Sequence, residues 1–345
     1  MKEAIMGKLA IAVIGVGHIG SQHAKHASAF GQLVAVCDIK KDRADAIARQ
    51  HGCRSYFSID DLLAKEKTLD IVAICTPNGL HAEHTIKALR AGCNVLCEKP
   101  MATSVRDCER MIHVAEETNK RLFIVKQNRF NPPIKALKKV VDEGRLGTIL
   151  NVQVNCFWNR NQEYYRSSDW RGKMKLDGGT LFTQYSHFID LLYWLVGDVE
   201  EVRAYTDDFL HQGVIEFEDT GVVILKFSNG ALGTINFTIN SYGKNMEGSI
   251  TLFGEKGTVK VGGQYLNVLE YQAIEGYEII GLEQGNPPNV YGTVKGSMSN
   301  HDKVYENVID VLVHGGSIAT DLLDGLKTVQ IIEKIYKAAA KTHGS

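Results

Sequence analysis

The sequence predicts an α/β protein with two domains: a doubly wound parallel sheet, then an α+β domain with a large, mostly antiparallel open sheet. Between Leu9 and about Val125, short apolar runs alternate with helical stretches, which is typical of parallel strands covered by helices on both faces. From Thr148 onwards, strand-like runs follow one another with turn signals between them, which indicates antiparallel strands. We therefore expect a first domain over residues 1–127 and a second over residues 128–345.

Five apolar runs are the expected strands of the first domain: "LAIAVIG", "LVAVCD", "DIVAICT", "NVLCE" and "RLFIVKQ". Segments such as "DRADAIARQHG" and "HAEHTIKALRAG" lie between them and have the composition of helices. Because parallel strands need crossover connections, this alternation predicts a doubly wound sheet.

The second domain is expected to begin with a helix over Ile134 to Glu143 that ends at Gly144. Turn signals "SNG" and "GEKG" separate its strands, which should reach Leu269. In "TINFTINSY" apolar and uncharged polar residues alternate, so one face of that strand is apolar. A neighbouring subunit, a ligand or plain solvent could cover the polar face. Two closing helices, His301 to His314 and Thr320 to Lys341, could pack back on the first domain.

Composition excludes several function classes. The chain has 345 residues, 44% of them hydrophobic, and a formal net charge of −1, which gives no electrostatic reason to expect nucleic acid or an anionic membrane as a partner. No apolar run approaches a membrane span, and "MKEAIMGKLA" lacks the apolar core of a signal peptide. We expect a cytoplasmic protein. Seven cysteines without a CxxC pair argue against a disulfide framework or a bound metal.

A glycine-rich turn follows the first strand. In "AVIGVGHIG", Gly15, Gly17 and Gly20 have the G-x-G-x-x-G spacing at the mouth of a helix, where a pyrophosphate can approach the main chain. Asp38 ends the second run, where a carboxylate can accept hydrogen bonds from a ribose diol and repel a 2′-phosphate. NAD is thus expected in preference to NADP, although Lys40 and Lys41 could attract a phosphate.

Two further segments should end at the same carboxyl edge of the sheet, where ligands of open parallel sheets bind. One is "CTPNGLH", in which Thr76 and Asn78 are candidate nucleotide contacts, or else Pro77 and Gly79 only shape a turn. The other is "NVLCEKPMAT". Adjacent strand residues point to opposite sides, so Glu98 and Lys99 can serve different ligands, and Pro100 restricts Lys99 to an extended conformation and makes a cis peptide possible.

A helix in the second domain carries a polar face. Thr183, His187, Asp190 and Trp194 follow three- and four-residue steps, which places them along one side. The opposite side carries Leu181, Phe188, Leu192 and Leu195. His187 therefore has a polar side to face, although a structural role for a single helical histidine is the alternative.

Together these motifs resemble the glucose-fructose oxidoreductase, inositol dehydrogenase and MocA (Gfo/Idh/MocA) family over essentially the whole chain. Within it, "VKQNRF", "CFWNRNQEYY", "DWRG", "DGGTLFTQYSHFIDLLYWL" and "MEGSITLFGEKGTVKVGG" look like bacterial UDP-N-acetyl-2-amino-2-deoxyglucuronate 3-dehydrogenases of surface-polysaccharide synthesis. The resemblance implies a Rossmann first domain, a catalytic pair of Lys99 and His187, a UDP-sugar substrate, and a homo-oligomer, dimer or tetramer, formed through the open sheet.

The resemblance and the motifs together give a set of expected contacts. For the cofactor these are Gly15, Gly17, His18, Ile19, Gly20, Asp38, Thr76, Asn78, His81, Glu98, Lys99, Gln127, Trp170 and Arg171. For the substrate they are Lys99, Arg129, Tyr164, Arg166, Thr183, Gln184 and His187. Arg160 is a further candidate, because guanidinium groups suit carboxylate or diphosphate oxygens. Many relatives have an aspartate where this chain has Thr183, which argues against a simple polyol substrate.

The expected reaction is the oxidation of a sugar C3 hydroxyl. Hydride leaves to the nicotinamide and a base takes the hydroxyl proton. A neutral His187 suits the second task, with Lys99 stabilising charge on the oxygen, but the reverse assignment is open. Two alternatives remain: a dehydrogenase of the same family acting on inositol, a free sugar or another nucleotide sugar, and a non-catalytic sensor of dinucleotide or sugar.

Overall fold

The chain divides into two compact units. The structure, a computed structural model, describes residues 8–291, 294–319 and 321–342. The first unit comprises the described residues up to Val125 together with residues 301–326, and the second comprises residues 126–300 together with those from Lys327 onwards.

The first unit contains a six-stranded sheet in which every pair of neighbours is parallel. Its strands are β1 (Ala10–Ile14), β2 (Gln32–Cys37), β3 (Arg54–Tyr56), β4 (Ile71–Ile74), β5 (Asn94–Cys97) and β6 (Leu122–Ile124). Their order is β3-β2-β1-β4-β5-β6, so the doubly wound arrangement is confirmed. The five apolar runs do not include β3, because this edge strand has only three residues and begins with exposed Arg54.

Helices connect these strands. They are α1 (His18–Phe30), α2 (Lys41–His51), α3 (Ile59–Lys65), α4 (His81–Arg90) and α5 (Val105–Glu117). Local sequence explains their ends: Ser104 caps α5, because its hydroxyl accepts the Asp107 N–H at 3.1 Å. α2 ends at Gly52, whose φ of +67° lies in the left-handed region.

The second unit contains a seven-stranded sheet. Its strands are β7 (Ile149–Phe157), β8 (Val199–Asp207), β9 (Thr220–Phe227), β10 (Leu232–Thr238), β11 (Glu247–Gly254), β12 (Gly257–Gly262) and β13 (Val268–Ile274). The order is β13-β12-β11-β7-β10-β9-β8, and every pair is antiparallel except β7 with β10. The predicted mostly antiparallel sheet is confirmed. A two-stranded ribbon follows, β14 (Pro288–Tyr291) with β15 (Val294–Met298).

The remaining helices are α6 (Pro132–Asp142), α7 (Gln162–Arg166), α8 (Met174–Asp177), α9 (Thr180–Thr183), α10 (Ser186–Val196), α11 (His301–His314) and α12 (Leu322–Thr342). The expected helix around His187 is therefore broken in two, because α9 ends before Gln184 and α10 begins at Ser186. α11 lies in the first unit, where it packs on α1. Among the helices of the described residues, none combines the length and apolar character needed to cross a membrane.

One face of the seven-stranded sheet is the core of the second unit. Ile235 and Phe237 of β10 are buried, while Asn236 between them is half-buried on the other face. There Asn236 pairs with Asn155 of β7 and with Val222 of β9, which is exposed. Exposed Tyr205 of β8 lies opposite Val222. The open face therefore combines uncharged polar and apolar side chains.

Candidate active site

The glycine turn after β1 has the geometry of a dinucleotide turn. A Cβ on Gly15, whose φ is +84°, would lie 2.7 Å from the Cys75 carbonyl oxygen, and one on Gly20 would lie 1.8 Å from the Gly15 carbonyl oxygen. A Cβ on Gly17 would meet only Arg43 Nη1, at 3.7 Å. The first and third glycines thus permit close packing, and the second leaves an open approach to the N-terminus of α1, where main-chain N–H groups favour an anion. At that terminus His18 is exposed and Ile19 half-buried.

Asp38 lies beside this turn, immediately after β2. Its Oδ2 accepts the Val16 N–H at 3.0 Å and its Oδ1 accepts the Lys40 N–H at 2.9 Å, so the carboxylate is fixed. Arg43 Nη1 lies 3.5 Å from Oδ2. A carboxylate has about four lone-pair sites, so Asp38 can still accept from a ribose hydroxyl. The turn and Asp38 thus fit a dinucleotide.

The segment after β4 begins at the position where the strand order of the sheet reverses, between β1 and β4. Asn78 begins a short 3₁₀ helix and is buried, and the Thr76 hydroxyl lies 3.1 Å from His84 Nδ1. His81 is buried, with Nε2 2.9 Å from the Thr76 carbonyl oxygen and Nδ1 2.7 Å from the Pro100 carbonyl oxygen. His81 therefore links the segments that follow β4 and β5. Burial lowers its pKa, although both carbonyls act in the opposite direction.

Glu98 and Lys99 follow β5 directly. Glu98 is buried, and its carboxylate accepts hydrogen bonds from two histidine rings and from the Lys99 main-chain N–H. Lys99 is half-buried, and the Lys99–Pro100 peptide bond is cis. Protein donors thus occupy both oxygens of Glu98, and its direct contact with a cofactor stays a prediction.

His187 of α10 is buried in the second unit. Gln127, in the 3₁₀ helix Gln127–Phe130, places its amide nitrogen 3.3 Å from His187 Nε2 and 3.1 Å from Ser297 Oγ. An amide N–H donates, so Nε2 is the acceptor in this contact. The side-chain amide oxygen of Gln127, Oε1, and the Ser186 hydroxyl are buried without a hydrogen-bond partner among the described residues. Polar groups beside His187 therefore remain available to a ligand.

A buried ion cluster anchors α10. Arg129 donates to both Asp190 oxygens, at 2.8 and 2.7 Å, and Lys126 Nζ lies 2.7 Å from Oδ1. Burial would raise the pKa of Asp190, but the charges of Arg129 and Lys126 lower it to about 2. The Arg129 guanidinium also lies 4.7 Å from the Trp194 ring centre. The structure thus assigns Arg129 to an internal pair, and its expected contact with substrate stays a prediction.

Several expected residues meet in a cluster of cations and aromatic rings. Gln184 accepts from Arg160 Nε at 2.7 Å and donates to the Tyr164 hydroxyl at 3.0 Å. The Tyr164 ring centre lies 5.4 Å from the Arg160 guanidinium and 4.3 Å from that of Arg171. Trp170 packs 5.7 Å from Arg171. We refer to Arg160, Tyr164, Arg171 and Gln184 as the arginine cluster; Arg166, at the end of α7, is exposed.

A carboxylate lies next to Thr183. The Thr183 hydroxyl donates to Asp177 Oδ1, and Asp177 Oδ2 accepts the Gly172 N–H at 2.7 Å. Asp177 is 1% exposed, so this carboxylate belongs to the interior. Thr183, at the position where many relatives have an aspartate, thus has the carboxylate of Asp177 within hydrogen-bond reach.

Among the residues that the sequence-based set lacks, three come from distant parts of the chain. Asn245 Oδ1 accepts from Arg160 Nη1 at 3.2 Å, Ser297 contacts Gln127, and His301 contacts Glu98. Each lies at least 85 positions from its partner along the chain. The "SNHDKV" segment around His301 predicts only the start of a helix, so no local pattern could identify these contacts.

Comparison with known proteins gives two family matches. Residues 9–126 match the Gfo/Idh/MocA oxidoreductase family with its NAD-binding Rossmann fold, and residues 134–260 match the C-terminal domain of the same family.

Solved structures resemble the whole chain. The WlbA dehydrogenase from Bordetella pertussis, in complex with NADH and UDP-GlcNAcA, is 38% identical, with 97% of each chain covered and a TM-score of 0.85. The WlbA dehydrogenase from Chromobacterium violaceum, with the same ligands, is 37% identical, with 98% of this chain and 95% of that chain covered and a TM-score of 0.89.

A curated relative has a different activity. The myo-inositol 2-dehydrogenase of Thermotoga maritima is 29% identical over 257 residues, which cover 72% of this chain and 74% of the relative. The two family matches and the likeness over nearly the full length agree with the glycine turn and with Asp38 after β2. The chain therefore belongs to the Gfo/Idh/MocA family and is an oxidoreductase with an NAD-binding Rossmann domain.

Proposed function

We propose that the protein oxidises the C3 hydroxyl of a UDP-linked 2-acetamido-2-deoxyglucuronate to the 3-keto sugar, with NAD⁺ as the hydride acceptor, in surface-polysaccharide synthesis. The likeness to two dehydrogenases solved with NADH and UDP-GlcNAcA carries this proposal, because it extends over nearly the full length of the chain.

The residues expected to hold NAD are those of the glycine turn and Asp38. The open approach at Gly17 suits the pyrophosphate, and the fixed carboxylate of Asp38 suits the ribose diol. When bound, NAD⁺ supplies the hydride acceptor for the carbinol carbon.

His187 and Lys99 are the proposed catalytic pair. His187 Nε2 is already a hydrogen-bond acceptor, towards Gln127, and a substrate hydroxyl that replaced this amide could pass its proton to the same lone pair. Lys99 would donate to the hydroxyl oxygen and stabilise the negative charge that develops there.

The arginine cluster is the proposed contact for the anionic parts of the substrate. Arg160 is buried and its guanidinium is held by Gln184, Asn245 and the Asn159 carbonyl oxygen. Arg171 stacks on Tyr164, and its Nε is buried without a partner among the described residues. Fixed guanidinium groups suit the carboxylate and diphosphate oxygens that distinguish this substrate from inositol or a free sugar.

A substrate panel tests this proposal. The protein would be incubated with NAD⁺ and either the UDP-linked glucuronate derivative, UDP-N-acetylglucosamine or myo-inositol, with and without 2-oxoglutarate as an oxidant that could regenerate NAD⁺. Products would be followed by mass spectrometry, because in-place regeneration hides the absorbance of NADH. We expect a loss of about two mass units, one hydride and one proton, from the glucuronate derivative alone.

Inositol oxidation is the second candidate, because a relative of 29% identity is a myo-inositol 2-dehydrogenase. Efficient turnover of inositol, with both UDP-sugars unchanged, would establish it and refute the first. Lys99→Met and His187→Asn should each lower turnover by about two orders of magnitude, the usual scale of lost acid–base or electrostatic help. Near-normal turnover in either variant would refute that residue's role.

We also propose that copies of the chain associate through the open face of the seven-stranded sheet, as a dimer or tetramer. Exposed Tyr205, Val222 and Ile224 on β8 and β9 support this, because apolar side chains on a sheet face are often covered by a partner. Light scattering on the wild type and on Val222→Lys is the test, with a smaller assembly expected for the variant.

A further inference from the structure

A buried cluster holds the main chain at Lys99. Glu98, directly after β5, is 4% exposed. Its Oε1 lies 2.9 Å from His23 Nε2 and 3.1 Å from His301 Nε2, and its Oε2 accepts the Lys99 main-chain N–H at 3.0 Å. Three N–H donors thus converge on one carboxylate. Hydrogen bonds account for both oxygens, and one of these bonds is to the residue proposed to act on the substrate.

The two histidines come from distant parts of the chain. His23 lies in α1, and His301 is the first residue of α11, 203 positions after Glu98. Both rings are fully buried. Because an ionised carboxylate only accepts hydrogen bonds, both rings donate to it through Nε2. Nδ1 of His23 lies 3.0 Å from the Tyr305 hydroxyl, also from α11. The chain re-enters the first unit at α11, and His301 of this helix therefore supplies a hydrogen-bond donor to Glu98.

Glu98 remains ionised in this cluster. Burial alone would raise its pKa, but the hydrogen bonds from His23 and His301 hold it well below its ordinary value. An ionised Glu98 is the form that accepts the Lys99 N–H. Removing one histidine donor leaves the buried charge less well satisfied, and the carboxylate must turn or take up a proton. Either response weakens the bond to Lys99.

On the other side, Pro100 is also held. Its carbonyl oxygen lies 2.7 Å from His81 Nδ1, so side chains fix the main chain both before and after Lys99. Such fixation matters in catalysis, because a displacement of about 1 Å at a reacting group can cost about 100-fold in rate. Loss of the cluster should therefore affect the reaction rate as well as the stability of the fold.

We propose that His301 is a positioning residue: through Glu98 it fixes the main chain at Lys99 and so directs the Lys99 amine. This inference rests on the proposed function, in which Lys99 acts on the substrate.

A double-mutant cycle tests the proposal. His301→Leu removes the donor, and we expect it to lower the single-turnover rate of hydride transfer about ten-fold or more, with the Kd for NAD changed by less than about three-fold. His301→Gln keeps an N–H donor and should recover most of the rate. In the Lys99→Met background, His301→Leu should cause no further loss, because the amine that it positions is already absent.

The control is His26→Leu. The His26 ring stacks on those of His301 and Tyr305, with ring centres 6.3 and 5.9 Å apart, so its loss disturbs the same packing, and the rate should stay near that of the wild type. If His301→Leu does not fold, His301→Asn replaces it, since its amide is too short to reach Glu98.

Equal losses from His301→Leu with and without Lys99 would overturn the inference and show a structural role. A wild-type rate in His301→Leu would overturn it as well. Both results leave the proposed function intact, provided that Lys99→Met alone is slow. Full activity of Lys99→Met would instead refute the role of Lys99 and, with it, this inference.

Discussion

Glu218→Gln should make the native protein more stable at alkaline pH. Glu218 is buried, and the Tyr336 hydroxyl donates to its Oε1 at 2.7 Å. Burial raises its pKa from the ordinary 4.5 to about 7. A pKa difference of one between the folded and unfolded states corresponds to about 1.4 kcal/mol, so ionising Glu218 destabilises the native state by about 3 kcal/mol above pH 7.

The sign follows from linkage. Between pH 4.5 and about 7 the native state binds more of this proton than the unfolded state does, so the contribution of Glu218 to stability falls as the pH rises through this window. Glutamine keeps an acceptor for Tyr336 but has no proton to lose. The stability difference between variant and wild type should therefore move in favour of the variant by about 3 kcal/mol from about pH 4.5 to about pH 8.5.

Urea denaturation of both proteins at several pH values, followed by circular dichroism, measures this difference. Glu216→Gln is the matched control for the loss of a carboxylate, because Glu216 is exposed in the same segment. A stability difference for Glu218→Gln that is constant between about pH 4.5 and about pH 8.5 would refute the reasoning, since it would mean that Glu218 is no harder to ionise in the native state.

Three other changes test the site. Gly17→Ala should fold normally, because its Cβ would lie 3.7 Å from the nearest atom, Arg43 Nη1. It should nevertheless bind NAD at least about ten-fold more weakly in calorimetry. Gly20→Ala should destabilise the fold itself, because its Cβ would lie 1.8 Å from the Gly15 carbonyl oxygen. Asp38→Ala should narrow the preference for NAD over NADP in paired titrations, and a wild type that binds NADP equally well would refute that reading. Asp190→Asn should lower stability by about 3 kcal/mol or more, because Arg129 and Lys126 then remain buried without their anion; unchanged urea denaturation would contradict it.

The sequence predicted the parallel sheet of the first domain well because the signals of its strands and turns are local. The strand before Asp38 and the glycine turn each lie within a few residues, and tight turns and buried strands leave patterns at that range. The edge strand Arg54–Tyr56 was missed because it is short and half polar. The continuous helix expected around His187 was wrong at one point, since the helical pattern continues across Gln184 and Tyr185 although α9 and α10 are separate.

The surroundings of the candidate catalytic residues could not be predicted, because tertiary contacts supply them. The sequence made His187 a candidate, but it did not show that Gln127, 60 positions away, lies against it. Arg129 was expected to face a substrate, and only the folded chain shows that Asp190 engages its guanidinium. The threonine at position 183 suggested that the site lacks a carboxylate there. In the folded chain Asp177, at the end of α8, places its carboxylate against the Thr183 hydroxyl.

The most direct test of the central claim follows the hydride itself. UDP-linked 2-acetamido-2-deoxyglucuronate with deuterium at C3 would be mixed with excess protein and NAD⁺, without 2-oxoglutarate, and both products analysed by mass spectrometry after a single turnover. The proposed function predicts that the deuterium appears on the reduced nicotinamide and that the keto sugar has lost it, and that Lys99→Met transfers it about 100-fold more slowly. Deuterium retained in an oxidised sugar would show that a carbon other than C3 is oxidised. No deuterium on the nicotinamide and no oxidised sugar would contradict the proposed substrate.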